Sequence, residues 1–175
     1  MVFAIPTDTC YWIGCHLNDK KWFKDIYKLK QRTKGKPISF IVKNFEELKR
    51  ISTLTTEQVD FLENYKNPFT IVTHLKDDSN IPDFLKRKQK LFWIRVAEII
   101  LDKKVADKVE FPIFLTSANI SEEDELYSSR DVKKIFWNKV KILLKSKINK
   151  KPPSNVIRFI WDSLDLEYLR KTYED

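Results

Sequence analysis

Short runs of apolar residues alternate along the chain with segments in which apolar residues recur every three or four positions. The short runs are rich in branched and aromatic side chains, which favours β-strands, and several are apolar nearly throughout, as buried central strands are. These runs are residues 2–7, 37–43, 69–75, 91–96, 112–116, 140–144 and 155–161. Strands that alternate with helical segments predict a single α/β domain over residues 1–175.

The first helical pattern runs from Asp19 to about Lys30, and either Asn18 or Asp19 can cap its N-terminus. The end of this helix carries Lys30 and Arg32 towards the next loop. We expect both cations to be exposed in a cleft.

Three more helices follow from capping signals. Asn44 and Thr55 are each followed three residues later by Glu or Gln, which predicts a helix start at both places. A further helix is predicted over about 131–139, with Ser128 or Ser129 as its cap. The longer polar segments, 119–130 and 145–154, are where we expect a lid or a binding loop.

The composition excludes several classes of protein. No apolar run approaches the roughly 20 residues of a membrane span, and Asp8 comes too early for a secretory signal, so the sequence predicts a cytoplasmic protein with no membrane partner. Cys10 and Cys15 are the only cysteines and are predicted to be reduced thiols. His16 and His74 lie in separate apolar surroundings, which disfavours a hydrolytic metalloenzyme, and no metal-ligating residue is assigned.

The balance of charge favours anionic partners. The formal net charge is +8 and the sequence pI is about 9.3, which suits nucleotides or RNA, although many lysines lie on the polar side of a helical pattern. The chain has only two glycines, Gly14 and Gly35, so it contains no glycine-rich phosphate loop. If phosphate is bound, side-chain cations and hydroxyls must do most of the binding.

Polar clusters lie where predicted strands or helices end, which is the edge at which open α/β sheets bind ligands. The clusters are residues 7–9, 30–32, 116–119 and 153–155. Taken singly, each also fits a turn, a helix cap or a helix C-terminus. Arg95 is a charge within an apolar strand and requires either an ion pair or an anionic ligand.

Eight segments, in order along the chain, carry a resemblance to a known family. They are Ile5-Pro6-Thr7-Asp8-Thr9-Cys10-Tyr11-Trp12-Ile13-Gly14, Lys30-Gln31-Arg32, Pro37-Ile38-Ser39-Phe40-Ile41, Asn67-Pro68-Phe69-Thr70, Ile94-Arg95-Val96, Thr116-Ser117-Ala118-Asn119-Ile120-Ser121, Pro153-Ser154-Asn155-Val156-Ile157 and Tyr168-Leu169-Arg170. These segments resemble the motifs of TsaC-like members of the YrdC-domain family. The resemblance extends from residue 2 to about residue 170.

The resemblance implies a twisted mixed β-sheet flanked by helices, with a basic concave face. It also implies L-threonylcarbamoyladenylate synthase activity, in which threonine and bicarbonate give a carbamate whose oxygen attacks the α-phosphate of ATP and expels pyrophosphate. Such nucleotidyl transfer between anions depends chiefly on positioning and charge neutralisation. Mg²⁺ would be held mainly by ATP itself. The product would pass to a downstream transferase assembly for threonylcarbamoyladenosine modification of tRNA.

Roles for individual residues follow from the same resemblance. Lys30 and Arg32 would clamp the triphosphate, and Ser117 and Asn119 would hydrogen-bond the nucleotide and the carbamate. These four are the predicted catalytic residues. The predicted threonine site consists of Thr9, Arg95, Ser117 and Ser154, with Arg95 on the carboxylate. The predicted nucleotide site consists of Lys30, Arg32, Lys36, Asn119, Ser128 and Arg170.

The chain departs from the family pattern at several glycines. Trp12, Asn67 and Glu122 stand where the family has glycine. We expect Trp12 to narrow the pocket and Glu122 to add negative charge near the phosphates. The alternative interpretation is therefore a catalytically impaired YrdC-like module that binds double-stranded RNA or tRNA.

Overall fold

The computed structural model describes residues 1–33 and 39–174. Nine strands in this part of the chain form one mixed sheet. The strands are β1 (Phe3–Pro6), β2 (Tyr11–His16), β3 (Ser39–Val42), β4 (Phe69–His74), β5 (Leu91–Val96), β6 (Ile113–Ser117), β7 (Lys141–Ile142), β8 (Asn155–Phe159) and β9 (Leu166–Arg170). Their order across the sheet is β7-β1-β2-β6-β3-β5-β4-β8-β9. A mixed sheet flanked by helices confirms the predicted fold class.

Each of the seven predicted strands overlaps an observed one, although the run 140–144 yields only the two residues of β7. Residues 37 and 38 of the second predicted strand lie outside the described residues. The sequence patterns missed β2 and β9. Gly14 and His16 interrupt the apolar pattern of β2, and β9 lies at the sheet edge with exposed or half-buried side chains, so neither gives an apolar run.

The helices among the described residues are α1 (Lys20–Leu29), α2 (Phe45–Ile51), α3 (Thr56–Glu63), α4 (Asp83–Lys86), α5 (Ala97–Ile100), α6 (Lys103–Ala106) and α7 (Ser129–Phe136). The predicted caps at Asn44 and Thr55 are confirmed, and Asp19 rather than Asn18 caps α1. Ser128 caps α7. The predicted helix over about 131–139 ends earlier, because the backbone at Trp137 has a φ of 51° and continues as a 3₁₀ turn. None of the described helices is long and apolar enough to cross a membrane.

Strand alternation gives the sheet two different faces. One face packs against α1, α2, α3 and α7 in the larger apolar core, which includes Phe23, Ile26, Leu48, Val59, Phe92, Ile94 and Val132. The other face is covered at one end by α5 and α6, which bury Ile100 and Val105 against Ile5, Ile41 and Ile113. Ser39, Thr70 and Trp93 alternate with residues of the larger core and so point to this second face, beyond the part that α5 and α6 cover.

Gly14 is required where β2 passes between β1 and β6. A Cβ at this position would collide with the carbonyl oxygen of Phe114 and lie 2.5 Å from Cδ2 of Leu115. Because the first obstacle is backbone, side-chain repacking cannot relieve it. We expect Gly14→Ala to lower the free energy of unfolding by about 2–3 kcal/mol, measured by urea denaturation. His16→Ala, at an exposed position on the same strand, is the control. Equal midpoints for the two variants would contradict the packing argument.

Both cysteines are free, as the sequence predicted, and the structure shows that both are buried. Burial, reinforced by the Glu125 carboxylate, raises the pKa of the Cys10 thiol far above its ordinary value. Burial, reinforced by Asp19, raises the pKa of Cys15 to about 12. Unfolded thiols lose their proton near pH 8.5, so the stability that the two thiols contribute is complete below that pH and declines as the pH rises above it.

We therefore expect neither thiol to react with a chromogenic disulfide reagent at pH 8 in the native state, and both to react after unfolding in guanidinium. The free energy of unfolding should fall between pH 8.5 and pH 10 in the wild type, and less steeply in a Cys10→Ser/Cys15→Ala variant. Rapid stoichiometric labelling of the native protein would show that the thiols are accessible and the assigned burial wrong.

Candidate functional site

The Lys30 ammonium joins the end of α1 to the end of β6. Its Nζ donates to the backbone oxygen of Ser117, to the backbone oxygen of Asn119 at 2.9 Å and to Oδ1 of Asn119 at 2.7 Å. The residue is only 1% exposed. The predicted convergence of these distant segments is confirmed, but the prediction that Lys30 is exposed in a cleft is wrong. A buried ammonium needs several acceptors, and the chain supplies them from β6 and the loop that follows it.

Asn119 organises the loop after β6. Its Oδ1 also accepts a hydrogen bond of 2.8 Å from the Ser117 hydroxyl, and its Nδ2 donates to the backbone oxygen of Glu123 at 2.7 Å. The loop is tied back again by the Ser121 amide, which donates to the backbone oxygen of Lys30 at 2.8 Å. Asn119 therefore acts on the loop, and through it on Ser117, rather than facing the cavity described next.

A cavity of about 240 Å³ opens on the second face of the sheet. Arginine, hydroxyl and aromatic side chains from both ends of the sequence line it. The lining residues are Thr9, Trp12, Arg32, Ser39, Thr70, Trp93, Thr116, Ser117, Glu125, Pro153, Ser154, Val156 and Arg170. A larger recess of about 910 Å³ between α2 and the α6 region contains none of the predicted site residues. The smaller cavity is the candidate site because the predicted cations and hydroxyls meet there.

Arg32 brings positive charge to this cavity from the loop after α1. Its Nη1 lies 3.4 Å from the Thr116 hydroxyl, and its guanidinium carbon lies 5.8 Å from the centre of the Tyr27 ring. Burial raises the pKa of Tyr27, and the nearby Arg32 charge opposes that rise. Arg32 is half-buried, so of the two predicted clamp residues it is the one that faces the cavity.

Arg95 forms the ion pair that the sequence left as one of two alternatives. Its Nη1 and Nη2 donate to the two carboxylate oxygens of Asp8 at 2.9 and 2.8 Å, and its Nε donates to the backbone oxygen of Phe69 at 3.1 Å. The Trp12 ring covers the guanidinium at 5.4 Å, and Arg95 is 0% exposed. Direct binding of a threonine carboxylate by Arg95 would require Asp8 or Trp12 to move.

Arg170 and Ser154 form the opposite wall. Nε and Nη2 of Arg170 donate to the backbone oxygen of Ser154 at 3.0 and 2.7 Å, and the Ser154 hydroxyl lies 2.9 Å from that of Thr70. Although Arg170 is exposed as a residue, desolvation of its guanidinium lowers its pKa, with Arg95 adding to this effect and Glu125 opposing it. Thr9, also predicted, is buried at the cavity with its hydroxyl 3.4 Å from that of Thr7.

The predicted nucleotide contact Ser128 does not line the cavity. The Ser128 hydroxyl accepts from the Asp131 amide at 3.1 Å and lies 2.5 Å from the Asp131 carboxylate, as an N-cap does. Lys36 lies outside the described residues. The nucleotide role of both residues stays a prediction. Glu122, exposed with a φ of 75°, adopts the left-handed conformation that suits the glycine found there in the family, and it does not line the cavity.

Sequence reasoning missed five lining residues, namely Ser39, Thr70, Trp93, Glu125 and Val156. The first three alternate along their strands with core residues, so strand periodicity alone could have placed them on the opposite face. Glu125 lies in the 119–130 segment, which was predicted to hold a lid or a binding loop. Glu125 itself carries no local signal for the cavity.

Comparison with known proteins now decides the family. A family model described as "Telomere recombination" (Sua5_yciO_yrdC) matches residues 1–171. The chain belongs to the Sua5/YciO/YrdC family. This family member is 30% identical over 165 residues to a threonylcarbamoyl-AMP synthase of Buchnera aphidicola. The matching residues cover 91% of this chain and 92% of that relative. It is 26% identical over 122 residues to the human threonylcarbamoyl-AMP synthase, which covers 70% of this chain and 43% of the human protein.

Solved structures show the same fold. Escherichia coli YciO superposes with a TM-score of 0.74 at 20% identity, over 99% of this chain and 84% of YciO. Pyrococcus abyssi Sua5, solved in complex with L-threonine, superposes with a TM-score of 0.75 at 22% identity, over 97% of this chain and 49% of Sua5. This Sua5/YciO/YrdC chain thus spans about half the length of Sua5.

Metal-ligating side chains do not cluster in the described part of the protein, where no group of three or more His, Cys, Asp or Glu could hold an ion. Glu125 is the carboxylate among the residues that line the cavity. A magnesium ion at this site would therefore take most of its ligands from a phosphate-bearing substrate and from water.

The different environments of Lys30 and Arg32 predict different effects of mutation. Lys30→Ala removes the ammonium donor from oxygens of Ser117 and Asn119, so we expect it to lower the free energy of unfolding by about 3 kcal/mol. Arg32→Ala, at a half-buried cavity position, should cost under about 1 kcal/mol. Urea denaturation measures both, with exposed Lys28→Ala as the matched control. Similar midpoints for Lys30→Ala and Lys28→Ala would show that the buried contacts contribute nothing.

Proposed function

We propose that this protein is an L-threonylcarbamoyladenylate synthase, a cytoplasmic nucleotidyltransferase that makes threonylcarbamoyl-AMP and pyrophosphate from L-threonine, bicarbonate and ATP. The observation that carries the proposal is the meeting of Arg32, Ser117, Ser154 and Thr9 at one cavity. The synthase of Buchnera, similar along nine-tenths of this chain, supports the same reaction.

In this proposal, Arg32 neutralises the negative charge of the ATP phosphates. Its planar guanidinium can donate two parallel hydrogen bonds to phosphate oxygens, and its charge opposes the charge that builds up on the departing pyrophosphate. Lys30 is a positioning residue, because its Nζ already donates to oxygens of Ser117 and Asn119. It fixes the wall against which the nucleotide lies.

Ser117 presents an acceptor to the cavity. Its hydroxyl proton is directed at Oδ1 of Asn119, so its lone pairs remain available for a donor on the ligand. A hydroxyl that accepts a hydrogen bond suits the N–H of the carbamate or an amino group better than a phosphate oxygen, which is itself an acceptor. The orientation depends on the Lys30–Asn119 contact, which makes Asn119 a positioning residue as well.

In this proposal, the substrate threonine binds between Thr9, Ser154 and Arg170. The positive charge of Arg170 suits the threonine carboxylate, and the hydroxyls of Thr9 and Ser154 can hydrogen-bond the polar groups of the substrate. Glu125 lies in the same wall and could accept a proton from the threonine ammonium before the amine attacks the carbon from bicarbonate.

The reaction product is a mixed carbamic–phosphoric anhydride, which is reactive towards water. Such a compound must be consumed soon after release. We propose that a separate threonylcarbamoyl transferase assembly acting on tRNA receives it. Mg²⁺ would accompany ATP and bridge its phosphates.

The second candidate function is a catalytically impaired module that binds double-stranded RNA or tRNA. The observation in its favour is the size of the cavity, because about 240 Å³ is below the roughly 300–1,000 Å³ of ordinary small-molecule sites. Trp12 contributes to this narrowness by covering Arg95. Synthase activity therefore requires the cleft to widen when ATP and threonine bind.

Pyrophosphate release distinguishes the two functions. Purified protein with ATP, Mg²⁺, bicarbonate and L-threonine should release pyrophosphate, and omission of threonine should abolish the release. We expect Arg32→Ala to lower kcat/KM by about 10²–10³-fold with little change in stability, and the control Lys28→Ala to match the wild type. A coupled phosphate assay and mass spectrometry of the adenylate provide the readout. No release, together with salt-sensitive RNA binding, would favour the binding module, and threonine-independent release would contradict the proposed reaction.

A further inference from the structure

The net charge of the chain resides in one stretch of sequence. Residues 132–154 contain eight lysines and neither Asp nor Glu. The chain has 33 Lys and Arg, so removal of these eight leaves 25 basic side chains against 25 Asp and Glu, and the rest of the protein is neutral. We call the eight residues the lysine track; they are Lys133, Lys134, Lys139, Lys141, Lys145, Lys147, Lys150 and Lys151.

All eight side chains of the track are exposed. None of them takes part in the salt bridges found among residues 1–33 and 39–174. The Lys150 ammonium lies 6.0 Å from the centre of the Tyr127 ring. Because none of these ammonium groups takes part in those salt bridges, and Asp131 is the one carboxylate within α7, the charges of the track add to one positive potential over this part of the surface.

The lysines of the track are arranged along helix α7 and at its two ends. The Ser129 amide donates to the backbone oxygen of Ser146 at 3.2 Å, and Lys147 forms a β-bridge with Ser128, so the 145–147 segment lies at the N-terminus of α7. Lys133 and Lys134 lie within α7, and Lys139 ends the 3₁₀ turn that follows it. At 1.5 Å per residue, α7 separates the two ends of the track by about 12 Å.

An exposed aromatic ring lies at the C-terminal end of α7. Trp137 is 70% exposed and lies at the rim of a recess of about 300 Å³. Ile135, Lys28 and Lys139 line the same recess. An indole face that is open to solvent beside ammonium groups matches the arrangement by which proteins bind unpaired nucleotides, where a base stacks on the ring and lysines contact the phosphates.

We propose that the lysine track binds RNA that contains unpaired nucleotides, with phosphates on the lysines and one base on Trp137. An anionic membrane fits less well, because α7 turns Val132 and Phe136 into the core and leaves no continuous apolar face to enter lipid. The proposal extends beyond the proposed synthase activity and does not depend on it, because its residues do not line the candidate active site.

Fluorescence anisotropy with a 20-nucleotide unstructured RNA, titrated at several salt concentrations, tests the track. The variant Lys145→Gln/Lys147→Gln/Lys150→Gln should bind at least tenfold more weakly, and the slope of log K against log salt should shrink by about 2, since each phosphate contact in single strands contributes about 0.7. The matched control is Lys24→Gln/Lys103→Gln/Lys104→Gln, which removes the same charge from other exposed positions. This control should match the wild type.

Trp137→Ala separates base stacking from charge. It should weaken binding of the single-stranded RNA about tenfold with no change in the salt slope, and it should have little effect on a perfect duplex of the same length. Urea denaturation checks that every variant remains folded. Pyrophosphate release by the track variant should equal that of the wild type, so loss of RNA binding and loss of synthase activity are separate results.

Several results would overturn the proposal. Equal loss in the two triple-lysine variants would mean that net charge alone attracts RNA. Duplex binding as tight as single-strand binding, with no effect of Trp137→Ala, would remove the role of an unpaired base. Tighter binding to phosphatidylserine vesicles than to RNA would reassign the track to lipid, and the absence of binding to either would leave it without an anionic partner.

Discussion

The buried Lys30 ammonium is the contact on which the candidate site depends. An ammonium removed from water must be surrounded by acceptors, and here the acceptors are oxygens of Ser117 and Asn119. The requirement holds the end of α1 against the end of β6, although the two are far apart in sequence. Arg32, two residues further on, thereby arrives beside Thr116 at the cavity. The cation that shapes the site and the cation that faces it are different residues.

A second buried charge holds the other side of the cavity. The Asp8–Arg95 pair joins the turn between β1 and β2 to β5, and Arg95 also donates to Phe69 at the start of β4. Such a pair adds little net stability but fixes geometry, since removing either partner leaves a charge uncompensated. Lys30, Asp8 and Arg95 do not line the cavity, and all three side chains are hydrogen-bonded within the protein. Arg32, Arg170 and several hydroxyl groups do line the cavity.

Two of the three departures from the family pattern, Trp12 and Glu122, differ in their consequences. Glu122 keeps the left-handed backbone conformation that suits the glycine of the family and lies away from the cavity, so it changes local strain and not the site. Trp12 does enter the site, because its indole covers Arg95 and lines the cavity. Trp12 is therefore the departure from the family pattern that acts on the cavity itself.

The sequence by itself determined the fold class, most strands, the four capped helices and the meeting of the 30–32 and 116–119 segments. Apolar periodicity, capping residues and collinear motifs are local signals, so they can be read along the chain. Tertiary structure alone decided that Lys30 is buried while Arg32 faces the cavity, that Asp8 is the partner of Arg95, and that Ser39, Thr70, Trp93 and Glu125 join the lining. Burial and pairing depend on which strands become neighbours, and no residue carries that information in its own position along the sequence.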